Sequence, residues 1–332
     1  MEDEHFEGAE EFFQTCRQLK GKKVGIVGHA QIDGDAVGAQ IALFEILRNL
    51  AGEPFLIEPE TGIPDHLQFL YEGYRLHRPS ELSVEEWCVV DCGLPSRPGK
   101  FFESLRPFLL VDHHLPRPTF ALHNFVHPRA AATCEILADY LHQKNFPISP
   151  SVARALYVGL IMDTGNYTYD SVRASTLRLG AWLLDQGLRP QALAARVYHQ
   201  EPRRKFSLLE RFLKSWKFYA DDQLCFGFLR EEDYRSTGCG LKDAEGFVNY
   251  PRSVRGVRIS GLLQEYEGTR KISLRSDESA LRLDQIAQRF RGGGHPCAAG
   301  FLTPASPDSF WDELVRALQE RLRAVERASY EG

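Results

Sequence analysis

No two of the seven cysteines form a C-x-x-C pair, and Cys16, Cys88, Cys92, Cys134, Cys225, Cys239 and Cys297 are odd in number and scattered. That argues against a structural zinc site and against a disulfide framework. Free thiols fit a reducing cytoplasm, which is the expected location. Apolar runs approaching the roughly 18 residues of a membrane helix are missing, so no membrane contact is expected. The opening Met1-Glu2-Asp3-Glu4-His5 is acidic and lacks the basic and apolar regions of a signal peptide. Low-complexity tracts and repeats of roughly 20–50 residues are absent too. Nor is there an excess of positive charge: 40 Lys and Arg stand against 45 Asp and Glu, a net charge of -5. Any contact with nucleic acid must therefore be local. What remains is an ordinary balance of 43% hydrophobic and 26% charged residues over 332 positions, room for two domains with separate cores.

The first half alternates short apolar runs with helical periodicity. Residues 23–28, 54–58, 87–90 and 108–111 read as buried strands. The last is opened by Pro107 and closed by Pro116. Helices are expected over residues 10–20, through Ile41 and Leu47 to near Gly52, and over 133–143, 152–162 and 175–186. Strands alternating with helices predict an α/β fold with a doubly wound, mostly parallel sheet.

The polar residues fall where those runs end. His29, Asp33 and Asp35 follow the first strand, Asp91 the third, and Asp112-His113-His114 the fourth. Asp163 closes the helix over 152–162. All strand carboxyl ends of a parallel sheet share one edge, so these groups can converge. Taken singly, Asp33 and Asp35 also read as turn and N-cap residues, Asp91 as a loop aspartate and Asp163 as a helix end. Carboxylates and imidazoles without thiolate suit Mn²⁺ or Mg²⁺ better than a closed zinc site. Gly34 is expected to let the loop turn so that Asp33 and Asp35 face one point. Two such carboxylates stay ionised only beside strong positive charge, which a pair of divalent cations provides.

The series His29-x3-Asp33-x-Asp35, Asp91, Asp112-His113-His114, Asp163 resembles the four-motif signature of the DHH phosphoesterase superfamily. The resemblance spans nearly the whole first half. It implies two Mn²⁺, with Mg²⁺ or Co²⁺ as substitutes. His29, Asp33 and Asp91 would hold one ion; Asp35, Asp91, His113 and Asp163 would hold the other, with Asp91 bridging. His114 would face the substrate phosphate, and Asp112 would orient a histidine. Ile32 and Ala39 depart from the family, which usually has proline before the first aspartate and serine after the glycine at Gly38.

Residues 186–205 are expected as a linker helix, punctuated by Pro190 and Pro202 and ending in a charge cluster, Glu201-Pro202-Arg203-Arg204-Lys205. Helices are predicted over 206–216, 283–290 and 310–325, with strands over 224–229, 258–266 and 270–275, the last two a hairpin. The glycine run in Arg291-Gly292-Gly293-Gly294-His295 reads as a loop whose backbone N–H groups can approach an anion. It resembles the GGGH motif of the DHHA1 domain, which usually follows a DHH domain. The stretch from Glu245 to Ser253 resembles one in nanoRNase-type members. Between Phe247 and His295 nine positive residues face five negative ones, a local excess suited to a phosphate-bearing substrate. Arg252, Arg291, Gly293, Gly294 and His295 are the expected substrate contacts.

Three parts follow: a DHH metal-binding domain over 1–185, the linker over 186–205 and a smaller α/β DHHA1 substrate domain over 206–332, with the active site expected in the interdomain cleft. The resemblance implies hydrolysis of short RNA or DNA oligonucleotides or 3′-phosphoadenosine 5′-phosphate. The implied route is in-line attack by a hydroxide bridging two metals, with Asp112 and His114 assisting. Phosphodiesterases of linear or cyclic dinucleotides and single-strand exonucleases of the RecJ type are the alternatives within the superfamily. Family II inorganic pyrophosphatases lack the GGGH motif, and a regulatory module with a dead site would not keep every ligand position. The chain is expected to be a monomer or homodimer.

Overall fold

The apolar runs of the first half become the strands of one sheet. In the computed structural model, residues 5–103, 105–115, 119–304 and 309–330 are described; Pro116 and the acidic residues 1–4 lie outside them. The chain divides by contacts into Met1–Gln200 and Glu201–Gly332.

In the first unit, β1 (Lys23–Val27), β2 (Glu53–Ile57), β3 (Leu76–His77), β4 (Glu86–Val90), β5 (Leu109–Asp112) and β6 (His123–Val126) lie in the order β3-β2-β1-β4-β5-β6. Each adjacent pair is parallel. The chain runs outward from β1 through β2 to β3, then returns to β4 on the other side. That reversal makes the β1/β4 junction the switch point, where a crevice opens at the carboxyl ends. The helices are α1 (Ala9–Arg17), α2 (Gly34–Asn49), α3 (Thr133–Gln143), α4 (Pro150–Asp163), α5 (Ala174–Leu184) and α6 (Pro190–Tyr198).

The centre of this unit is α2, buried on nearly every side, as its run of Ala, Val, Ile and Leu dictates. It approaches α4 closely because glycines line the seam. A Cβ on Gly38 would stand 2.5 Å from the Ala155 carbonyl oxygen and from the Cys134 sulfur; one on Gly34 would meet Met162 Sδ at 2.3 Å. Gly34 is thus required for the space beside α4, not for a tight turn: it is the first residue of α2 and has no left-handed φ. Gly38→Ala must push backbone away from backbone. We expect it to lower the stability of the first unit by about 1–3 kcal/mol, read from its denaturant midpoint.

Two expectations change at the boundary. The predicted linker helix is α6, and its Leu193 and Val197 are buried in the core of the first unit, where the Tyr198 hydroxyl donates to the Ile161 carbonyl (2.8 Å). The charge cluster at 201–205 opens α7 (Arg203–Lys214), the first helix of the second unit.

In the second unit, β7 (Lys217–Tyr219), β8 (Leu224–Leu229), β9 (Ile259–Tyr266), β10 (Thr269–Ser276), β11 (Gly293–His295) and β12 (Ala298–Pro304) form a sheet ordered β11-β12-β10-β9-β8-β7. Only β8 and β9 run parallel. One sheet face packs on α9 (Leu283–Arg289) and α10 (Ser309–Tyr330) through Phe226, Ile272, Leu314 and Leu318. The other packs on α7 and α8 (Glu231–Thr237) through Leu208, Phe212, Tyr234 and Leu262. The glycine run is therefore not a free loop. Residues 293–295 pair with β12 as an edge strand, Gly293 opposite Gly300 and His295 opposite Ala298. Among the described residues no helix is long and apolar enough to cross a membrane.

Candidate metal centre

Three strand ends and two helix ends deliver the polar residues to one place. His29 follows β1, Asp91 follows β4 and His113 follows β5, while Asp33 caps α2 and Asp163 ends α4. Asp33 does two things at once. Its Oδ1 accepts from the N–H groups of Asp35 (3.0 Å) and Ala36 (3.1 Å), and its Oδ2 stands 3.4 Å from His29 Nε2. One oxygen serves as the N-cap, and the other is turned toward His29.

Asp35 is fully buried and aims at the start of α3. The Thr133 N–H donates to its Oδ2 (2.6 Å) and the Cys134 N–H to its Oδ1 (2.8 Å), so the positive end of a helix faces this carboxylate. Thr133 also donates its hydroxyl to Asp91 Oδ1 (3.1 Å). Sequence reasoning missed Thr133 because the contact spans two motifs far apart in the chain. Asp91 itself sits at φ 55°, a left-handed conformation that aspartate tolerates better than most residues and that re-aims its side chain at the strand end.

Asp91 has an oxygen on either side. Oδ2 lies 3.5 Å from His29 Nε2, and Oδ1 lies 3.6 Å from His113 Nε2. His113 Nε2 is also 3.2 Å from Asp163 Oδ2 and 3.9 Å from Asp35 Oδ2. Two donor sets result, His29-Asp33-Asp91 and Asp35-His113-Asp163, each with its atoms within 4.8 Å of one another. Ligands about 2.1 Å from one ion stand roughly 3.0 Å apart when adjacent and 4.2 Å apart when opposite. The observed spacings lie in that range and are mostly too long for hydrogen bonds.

The two histidines of the motif separate. His113 Nδ1 is 3.2 Å from the Ala130 carbonyl, which fixes the proton there and turns the Nε2 lone pair toward the carboxylates. His114 Nδ1 pairs with Asp112 Oδ1 at 2.7 Å, leaving its Nε2 outward on a half-exposed ring. The same Asp112 oxygen accepts the N–H of His113 (2.8 Å) and of His114 (3.3 Å). Of the two histidine rings, the one that pairs with Asp112 is that of His114. A third grouping brings His114 beside Asp91 and His113, its Nδ1 3.6 Å from Asp91 Oδ1.

The electrostatics record crowding. Burial pushes the Asp35 carboxyl well above its ordinary range, and the charges of Asp91 and Asp163 add to it. Burial also raises Asp163, against the pull of His113. Burial disfavours charge on His29, yet Asp33 and Asp91 outweigh it and hold this imidazole up at about 9. His113 is likewise held at about 10 by Asp163, Asp35 and Asp91. Asp112 raises His114 despite partial burial. The nearby thiols do not compete as ligands, since burial pushes Cys92 and Cys134 far up and keeps them protonated. A set of buried and half-buried carboxylates and Nε2 donors, free of thiolate, fits divalent cations of the hard or borderline kind.

Ile32, at the position where the superfamily usually has proline, is buried beside this loop, and Ala39 is buried in α2. Both substitutions therefore fall in packing and not among the donors. The expected substrate residues all lie in the second unit. Arg291, Gly293, Gly294 and His295 are exposed on or beside the edge strand. Gly292 and Gly294 are needed for closeness, since a Cβ on either would reach a β12 carbonyl oxygen at 2.2 or 2.3 Å, whereas Gly293 faces open space. Arg252 is less free than its sequence context suggests: its guanidinium is engaged by Asp277 and by Asn249 Oδ1 (3.2 Å). Arg258, Arg270 and Arg282 also face carboxylates, Glu278, Glu265 and Asp284, so much of the local positive excess is internally balanced.

Residues 23–160 match the DHH family, N-terminal domain. Over 309 residues the chain is 28% identical to the bifunctional oligoribonuclease and PAP phosphatase NrnA of Thermus thermophilus, covering 92% of this chain and 91% of that protein. The protein of the same description from Bacillus subtilis is 24% identical and covers 88% and 91%. Among solved structures, an exopolyphosphatase-related protein from Bacteroides fragilis superposes with a TM-score of 0.85 at 24% identity, over 98% of this chain and 99% of that one, which establishes the fold. Motif order and fold agree with the family match over residues 23–160, and over most of its length the chain is similar to proteins described as bifunctional oligoribonuclease and PAP phosphatase.

Proposed function

We propose that this protein hydrolyses phosphoester bonds in oligonucleotides of two to a few residues and in 3′-phosphoadenosine 5′-phosphate, with two Mn²⁺ ions in the cytoplasm. The observation that carries the reading is Asp91, whose two carboxylate oxygens face two separate donor sets. The full-length relatives supply the substrate class, being described as oligoribonucleases and PAP phosphatases. Free cysteines throughout the described residues fit a reducing compartment.

His29, Asp33 and Asp91 hold one ion in this reading; Asp35, Asp91, His113 and Asp163 hold the other. Divalent ions there supply Lewis acidity toward phosphate oxygens and a water acidified to near neutral pH. The chain's own residues do the rest. Thr133 and the first amides of α3 keep Asp91 and Asp35 from swinging away. His114, whose affinity for a proton Asp112 raises, presents Nε2 to a phosphate oxygen or gives its proton to the leaving oxygen. Arg291 and the strand over 293–295 bind the substrate's other phosphate or terminal nucleotide, with Arg252 recruited from its pair with Asp277.

Turnover in Mn²⁺ of 2-mer to 24-mer RNA and DNA, 3′-phosphoadenosine 5′-phosphate, linear and cyclic diadenylate and pyrophosphate tests the assignment. The shortest RNAs and 3′-phosphoadenosine 5′-phosphate should give the highest kcat/KM. Preference for pyrophosphate or for the 24-mers would overturn it. His295→Ala should raise KM for a dinucleotide about five- to tenfold, the loss of one hydrogen bond to a charged group, without change in metal content. Unchanged KM and kcat would remove His295 from the substrate site.

A further inference from the structure

The second unit carries a groove that no step above uses. It has a volume of about 810 Å³ and opens where α7 ends and α10 begins, by the β7 edge of the sheet, away from the β11 edge that carries His295. A second depression of about 670 Å³ continues it along α7 and shares Arg211 and Lys214 with it. Together they are lined by seven cationic and five acidic side chains, in a chain whose net charge is -5.

Three features describe what the groove is built to hold. First, Arg203, Ser207, Arg211 and Lys214 recur at helical spacing and lie exposed in one stripe down α7. A helix of 12 residues is about 18 Å long, the length of roughly five stacked nucleotides at 3.4 Å each. Second, the groove ends on aromatic side chains: Trp216, Phe228 and Trp311 line it, with the Phe228 and Trp311 rings 5.1 Å apart and Lys217 Nζ 5.3 Å above Phe228. Third, the indole Nε1 of Trp216 is shielded from water yet has no hydrogen-bond partner among the described residues, a group that normally finds one. The cations are available. Arg203, Lys217 and Arg230 have no carboxylate partner among the described residues; Arg211 meets Asp233 and Arg204 meets Asp243 only at 3.6 Å, while Lys214 pairs with Glu210 at 2.6 Å on the exposed face of α7. Exposed pairs of that kind are worth about 0–1 kcal/mol and exchange readily for phosphate.

We propose that this groove is a second binding site, for single-stranded nucleic acid, with phosphates along α7 and a terminal base on the Phe228/Trp311 pair. The choice of ligand rests on the oligonucleotide reading above. Phosphates want the cationic stripe, bases want the aromatic shelf, and a strand of about four to six nucleotides spans both. Such a site retains strands too long for the dinucleotide subsites.

The test is binding of fluorescein-labelled hexariboadenylate in EDTA, which prevents hydrolysis, followed by anisotropy. Arg211→Gln/Lys214→Gln should raise Kd about tenfold, and Lys217→Gln/Arg230→Gln, which breaks no ion pair among the described residues, should raise it about fivefold. Dinucleotide turnover by both variants should match wild type. Hexamer saturation should also quench tryptophan fluorescence, and an abasic hexamer should not. A Kd within twofold of wild type in both variants, or an abasic strand bound as tightly as hexariboadenylate, overturns the proposal. If the wild-type protein fails to turn over the dinucleotide, the activity reading falls, and the Kd comparison still decides the groove.

Discussion

Asp91→Asn is expected to lower kcat for a dinucleotide by at least about 10³-fold and to cut the bound metal sharply, with little change in melting temperature. Asparagine is the substitution that isolates the charge. Asp91 sits at φ 55°, a conformation that asparagine shares easily and alanine does not. Its remaining carbonyl oxygen can still accept from the Thr133 hydroxyl, so the local fold persists. What disappears is the second anionic oxygen of the residue whose two oxygens face His29 and His113. Elemental analysis after dialysis against Mn²⁺, beside a thermal melt, reads both consequences. A variant that kept two equivalents of metal would show that Asp91 does not bridge.

His113→Ala and His114→Ala should part company although the residues are adjacent. His113 gives its Nδ1 to the Ala130 carbonyl and its Nε2 to three carboxylates. Its loss should empty the Asp35-His113-Asp163 set and abolish activity. His114 gives its Nδ1 to Asp112, and its Nε2 contributes to neither of the two main sets. His114→Ala should therefore keep its metal while kcat falls about 10²- to 10⁴-fold, the range of a lost general acid. Equal metal loss in the two variants would sink this division of roles.

The residues of the centre were legible because each apolar run stops at a polar one. A parallel sheet sends those stopping points to a single edge, so His29, Asp91 and His113 follow from strand positions alone. Asp33, Asp35 and Asp163 needed the helices, whose periodicity was equally plain. Other features were hidden for physical reasons. β3 and β6 are edge strands of two and four residues, too short for a period to show, and β6 carries His123 and Asn124. Thr133 lies on a helix whose approach to Asp35 is set by packing against α2. The role of Gly34 depends on Met162, which only the assembled structure places beside it. The glycine run over 292–295 looked like a loop because glycine has low strand propensity, yet close approach to β12 is what demands it. The engagement of Arg252 was hidden because its partner Asp277 lies far along the chain, just after β10.

The strand order of the first unit also bears on how the protein comes into being. The central strand β1 is made early, and it pairs on one side with β2 but on the other with β4, whose residues emerge much later. His29 must wait for Asp91, and His113 for Asp163, before either donor set closes. At about 5–20 residues per second, synthesis of the chain between His29 and Asp163 takes roughly 7 to 27 seconds. During that interval the nascent chain exposes half-formed acidic pockets and one unpaired flank of β1. An ion captured then would meet an incomplete site. The Asp35-His113-Asp163 set is therefore complete only when α4 arrives and its last carboxylate is set in place.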